Sequence, residues 1–74
     1  MSEMSDSVQR HMADPMFQGF ARAFVDFRER EHAGSFEGLM QQRARDLFGD
    51  DDYAETCAKR VAFKRLVRRY ADLA

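Results

Sequence analysis

The sequence predicts a small all-α domain of three helices. Apolar residues recur at helical spacing in three segments, no segment alternates apolar and polar residues over more than four positions, and β-branched residues are few. A length of 74 residues allows one domain. We expect a flexible or partner-ordered leader over residues 1–13, in which Val8 and Met12 permit a short helical turn, and a single helical domain over residues 14–74.

The first predicted helix covers about residues 15–32. Asp14 is a preferred N-cap residue, and Pro15 fits the first turn because its missing N–H is not needed there. The apolar pattern ends near His32, and Gly34 is suited to the position that follows a helix. The predicted core face carries four phenylalanines and one alanine: Phe17, Phe20, Ala21, Phe24 and Phe27.

The second predicted helix covers residues 36–48. Ser35 is suited to cap its start, and Gly49 permits a left-handed conformation at its end. One stripe holds its large apolar side chains together with one alanine: Phe36, Leu39, Met40, Ala44, Leu47 and Phe48.

The third predicted helix covers residues 52–72. Asp52 and Glu55 have the spacing of a capping box, and the acids at its start and the arginines at its end complement the helix dipole. The apolar face changes direction along this helix, which indicates that its two ends pack against different surfaces. One side carries Ala54, Cys57, Ala58 and Val61, and the other carries Phe63, Leu66, Val67, Tyr70 and Leu73.

A net charge of −1 conceals a strong polarity along the chain. Residues 1–58 hold 12 acidic and 6 basic residues (net −6), and residues 59–74 hold 6 basic residues and one acidic residue (net +5). These basic residues could bind an acidic protein partner or the phosphates of a nucleic acid. Alternatively, the helix is solvated and its basic residues pair with the acidic part of the same domain. The partner-binding residues that we predict are Arg60, Phe63, Lys64, Arg65, Leu66, Val67, Arg68, Arg69 and Tyr70.

The function that these patterns favour is a small protein–protein interaction module, either an adaptor, an inhibitor or an accessory subunit. It would dock onto an acidic protein surface through its last helix, or self-associate there, because seven Phe and five Met supply more apolar surface than one small core hides. The alternative is a nucleic-acid-binding regulator that uses the same helix for phosphate contacts. A groove-reading helix-turn-helix is disfavoured because carboxylates occupy the end that would enter the groove: Asp50, Asp51, Asp52 and Glu55.

No enzyme activity, cofactor, metal ion or small-molecule substrate is expected. The chain is too short for a catalytic cavity together with a scaffold that holds it rigid. The acidic cluster around residues 46–55 lacks the alternation of a calcium loop, and His11, His32 and Cys57 are scattered rather than spaced for zinc. We expect Cys57 to be a buried structural thiol.

The ends of the chain and its single cysteine predict a cytoplasmic protein. Cys57 has no second cysteine with which to form an internal disulfide, which suggests a reducing, intracellular setting. The first residues lack the basic start and the apolar stretch of a secretory signal. No run approaches the roughly 20 apolar residues that span a bilayer, so no membrane partner is expected.

Overall fold

A computed structural model describes residues 3–31 and 36–71, and these form four helices. The helices are α1 (Glu3–Met12), α2 (Pro15–Glu31), α3 (Phe36–Phe48) and α4 (Ala54–Tyr70). The described residues contain no strand, so the predicted all-α class is confirmed. Each described helix is too short or too polar to cross a bilayer.

The predicted count of three helices is wrong, because α1 forms within the segment that was expected to be a loose leader. Val8 and Met12 are 2% and 8% exposed, and Ser7 beside them is 6% exposed. Their burial comes mainly from packing against α4. Two apolar side chains four positions apart are too weak a pattern to predict a helix. A short helix is stable only when it packs on another surface, and the surface of α4 that stabilises α1 lies far away in the sequence.

The junction of α1 and α2 follows the sequence prediction. The Oδ1 atom of Asp14 accepts a hydrogen bond from the backbone N–H of Met16 at 2.9 Å, and α2 begins at Pro15. Gln18 of α2 donates to the carbonyl oxygen of Met12 at 3.0 Å, which satisfies a free carbonyl at the end of α1. The predicted helix end at residues 32–34 and the predicted cap at residue 35 lie outside the described residues.

The start of α4 differs from the prediction, whereas the end of α3 agrees with it. Gly49 has a φ of 94°, and its N–H donates to the carbonyl oxygen of Arg45 at 2.7 Å. The helix α4 begins at Ala54 instead of residue 52, after an extended Tyr53 that has no side-chain cap. The predicted capping box is absent because the carboxylate of Glu55 is bound to α1 instead.

The last helix, α4, is the centre of the domain and packs against each of the other three. The Phe63 ring lies 6.0 Å from that of Phe24 in α2 and 5.9 Å from that of Phe48 in α3, and the Phe48 ring stacks on Phe17 at 4.9 Å. The apolar face of α4 changes direction because different helices of the same chain cover it. Its buried side chains are Ala58, Ala62, Phe63, Leu66 and Val67.

Candidate interaction face on the last helix

The structure divides the nine predicted partner-binding residues between the core and the surface. Phe63, Leu66 and Val67 are each 0% exposed, so their side chains do not form part of the surface of the folded domain. The sequence shows that these residues share a face, but it does not show that α1, α2 and α3 together cover that face. The members of the predicted set that keep some exposure are therefore the basic residues of α4 and the half-buried Tyr70.

Two further members of the predicted set are engaged within the chain. The guanidinium carbon of Arg22 in α2 lies 4.9 Å from the centre of the half-buried Tyr70 ring. The Nη2 atom of Arg60 donates to the carbonyl oxygen of Asp51 at 2.7 Å and lies 3.5 Å from Sγ of Cys57. Cys57 itself is half-buried rather than buried as expected.

Four cations of the last two turns remain at the surface, and we call them the cationic face: Lys64, Arg65, Arg68 and Arg69. They form two rows in which side chains four positions apart are neighbours. Nη2 of Arg68 lies 3.3 Å from the carboxylate of Glu37 in α3. Because these two side chains are 42% and 56% exposed, the ion pair contributes little to stability, about 0–1 kcal/mol.

Most of the charge on the cationic face is not neutralised by the domain itself. Among the described side chains, those of residues 5–27 and 36–71, no carboxylate lies within 4.0 Å of the charged groups of Lys64, Arg65 or Arg69. In the described part of the chain, Arg68 is the one member of the cationic face that forms an ion pair with an acid of the same domain, as the alternative prediction requires. The face therefore retains positive charge that is available to an external anion.

The exposed acids Asp50, Asp51 and Asp52 lie at the opposite end of α4 from the cationic face. The helix has 17 residues, which corresponds to a length of roughly 25 Å. The Debye length at physiological ionic strength is about 8 Å. The acidic end of the helix consequently leaves the potential at the cationic end almost unchanged.

A polar cluster that sequence reasoning missed joins α1 to α4. Ser7 Oγ donates to the carboxylate of Glu55 at 3.1 and 3.3 Å, and Nε2 of His11 lies 2.8 Å from Oε1 of the same carboxylate. The His11 ring stacks on Phe17 at 4.8 Å. Because serine and histidine both bind the carboxylate, the cluster lacks the serine–imidazole bond that would activate a nucleophile. Its geometry is that of a structural connection between two helices.

The cluster makes Glu55 sensitive to acid. The hydrogen bond from His11 and, after it, the bond from Ser7 lower the pKa of Glu55 from its ordinary value of 4.5. The unfolded chain therefore takes up this proton at a higher pH than the folded chain. The stabilisation from Glu55 is complete above the ordinary pKa and is lost as the pH falls through the lowered pKa.

We predict that Glu55→Gln weakens the acid dependence of stability. Between about pH 5 and pH 3, the free energy of unfolding of the wild type should fall more steeply than that of the variant, because the variant has no carboxylate to protonate there. Urea unfolding at several pH values measures both slopes. Asp52→Asn, which removes an exposed carboxylate near the same helix end, is the matched control and should retain the wild-type slope.

Among the described side chains, those of residues 5–27 and 36–71, no group of three or more His, Cys, Asp or Glu is placed to hold a metal ion, and His32 lies outside this part of the chain. The chain matches no protein-family model, no curated protein and no solved structure.

Proposed function

We propose that the protein is a small helical interaction module, acting as an adaptor, an inhibitor or an accessory subunit, that docks onto an acidic protein surface through the cationic face of α4. The observation that carries this proposal is the set of cations without an internal counter-charge in the described residues, Lys64, Arg65 and Arg69. The rest of the module serves as a scaffold, because α4 is held on three sides by packed helices. A rigid scaffold reduces the entropy cost of docking.

An acidic protein surface fits this face better than a nucleic acid does. A protein partner needs negative charge only where it meets the cationic face, whereas a phosphate backbone continues past its borders. At one border of the cationic face, the phosphate backbone would meet Glu37, which is exposed beside Arg68. If it continued past the other end of α4, it would meet the exposed acids at residues 50–52. Like charges placed opposite one another at an interface cost several kcal/mol.

Nucleic-acid binding remains the second candidate, because arginine side chains in rows also suit phosphates. It requires an affinity that falls steeply as salt rises, since binding releases counterions from the phosphate backbone. A gel shift of single-stranded and duplex probes at low salt tests it directly. Retardation that Arg65→Glu abolishes would support this candidate over a protein partner.

We predict that the double variant Arg65→Glu/Arg69→Glu loses at least about tenfold in affinity for the partner, since like-charge contacts replace favourable ones. The measurement is quantitative affinity capture from the native host, followed by titration of the recovered protein. The control is Arg10→Glu/Arg45→Glu, which changes the net charge equally at exposed sites on α1 and α3. Equal losses in both variants, or no protein recovered by the wild type, would count against the proposal.

A further inference from the structure

A second apolar surface runs along α2 and shares no residue with the cationic face. Met16, Phe20, Ala23 and Phe27 follow one another at spacings of four, three and four residues. Met16 is 56% exposed and Phe27 is 39% exposed, although both are large and apolar. Ala23 between them is also exposed, and Phe20 is half-buried. Such spacing is typical of a seam along which two helices pair.

The seam opens into a groove between α2 and α3. The groove has a volume of about 130 Å³, and its walls include Phe20, Phe27, Arg43 and Leu47. The guanidinium carbon of Arg43 lies 5.8 Å from the centre of the Phe27 ring. The helices α2 and α3 pack mainly on α4 and only lightly on each other, so their outer sides leave the groove open.

Gly19 lies on the same side of α2 as the seam. A Cβ atom built there would meet nothing within 4 Å, so no neighbour in the described part of the chain requires a glycine at this position. Glycine within a helix is destabilising relative to alanine. Its absent side chain leaves room for another helix to approach the backbone of α2 closely.

The charges beside the groove favour a second copy of this chain as the occupant. Arg43 lines the groove and Asp46 lies one turn further along α3, so this side of α3 carries both signs. In a two-fold symmetric pair, the same side of α3 in each copy faces that of the other copy and runs in the opposite direction. The base of one copy then lies towards the acid of the other, so a surface with both signs is complementary to itself. A wholly acidic partner would instead meet the carboxylate of Asp46. We propose that two copies of the protein associate antiparallel along the α2 seam.

The contact would be of modest size. The seam from Met16 to Phe27 is roughly 17 Å long, and one helix contact of that length is smaller than a standard specific interface. The expected dimer is therefore weak and in equilibrium with the monomer. Its formation is independent of the cationic face, since the two surfaces lie on different helices.

Sedimentation equilibrium of the full chain from about 1 μM to about 1 mM tests the proposal. The wild-type mass should rise from the 8.6 kDa of one chain towards twice that value. Ala23→Arg, which places a charged and bulky side chain in the seam, should raise the dissociation constant at least tenfold. Gln9→Arg adds the same side chain at an exposed site on α1 and should dimerise as the wild type does.

Three results would overturn the dimer proposal. The first is a wild type that remains monomeric throughout the range, which would leave the seam to a different partner. The second is a dimer that Ala23→Arg does not weaken, and the third is a dimer that Arg65→Glu/Arg69→Glu abolishes, which would place self-association on the cationic face. Circular dichroism establishes that each variant is folded, and the capture experiment on the cationic face is unaffected by any of these outcomes.

Discussion

Replacing Phe63 by alanine is expected to destabilise the domain by about 3–5 kcal/mol. Phe63 is 0% exposed on the central helix, and its ring contacts those of Phe24 and Phe48 on two other helices. Truncation removes these contacts together and leaves a cavity that three packed helices fill only in part. A domain of 74 residues has a total stability of roughly 4–11 kcal/mol, so much of it would be lost.

Thermal and urea unfolding measure this loss. The midpoint temperature should fall by at least about 12 °C, since each kcal/mol corresponds to several degrees in a domain of this size. Tyr53→Ala is the matched control, because it also truncates an aromatic side chain but at a position that is 76% exposed. Its effect should stay within about 0.5 kcal/mol. A Phe63 variant as stable as this control would contradict the central position of α4.

Val8→Asp is expected to cost about 3–5 kcal/mol, because it places a carboxylate without a partner where the wild type buries an apolar side chain. Val8 is 2% exposed in the contact of α1 with α4. Detachment of α1 from α4 would return the new carboxylate to water, but it would also expose the apolar side chains of α4 that α1 covers. Either response lowers the free energy of unfolding.

This substitution separates a four-helix domain from a three-helix domain with a loose leader. In a loose leader, Val8→Asp would change stability by no more than about 0.5 kcal/mol. Gln9→Asp introduces the same charge at the next, exposed position and should be close to neutral. Urea unfolding of both variants, with the helix content followed by circular dichroism, distinguishes the two arrangements. Equal stability of the two variants would argue for the loose leader.

Local features of the fold were accessible to sequence reasoning because their causes lie within a few residues. Asp14 caps α2 through its own side chain, and Gly49 ends α3 because it adopts a positive φ at little cost. The apolar stripe of α3 predicted its bounds, Phe36–Phe48, since a helical period is a property of the segment itself. The cations of the candidate interaction face were also found this way, as a concentration of charge that composition alone reveals.

Features that depend on distant segments were not accessible in the same way. Ser7 and His11 lie 48 and 44 positions from Glu55, and their hydrogen bonds replaced the predicted capping box at the start of α4. The amphipathic pattern of α1 is too short to stabilise a helix by itself, so this segment is helical because it packs against α4. Arg68 found its counter-charge on α3, whereas its neighbour Arg65 found none in the described residues.

The sequence by itself determined the helical class, the start of α2, the two ends of α3 and the concentration of positive charge near the C-terminus. Only the tertiary structure decided which apolar side chains face the core and which face solvent. It buried Phe63, Leu66 and Val67, and it left Phe27 exposed despite an equivalent helical spacing. The reason is physical: periodicity defines the faces of one helix, but burial depends on which other helices cover each face.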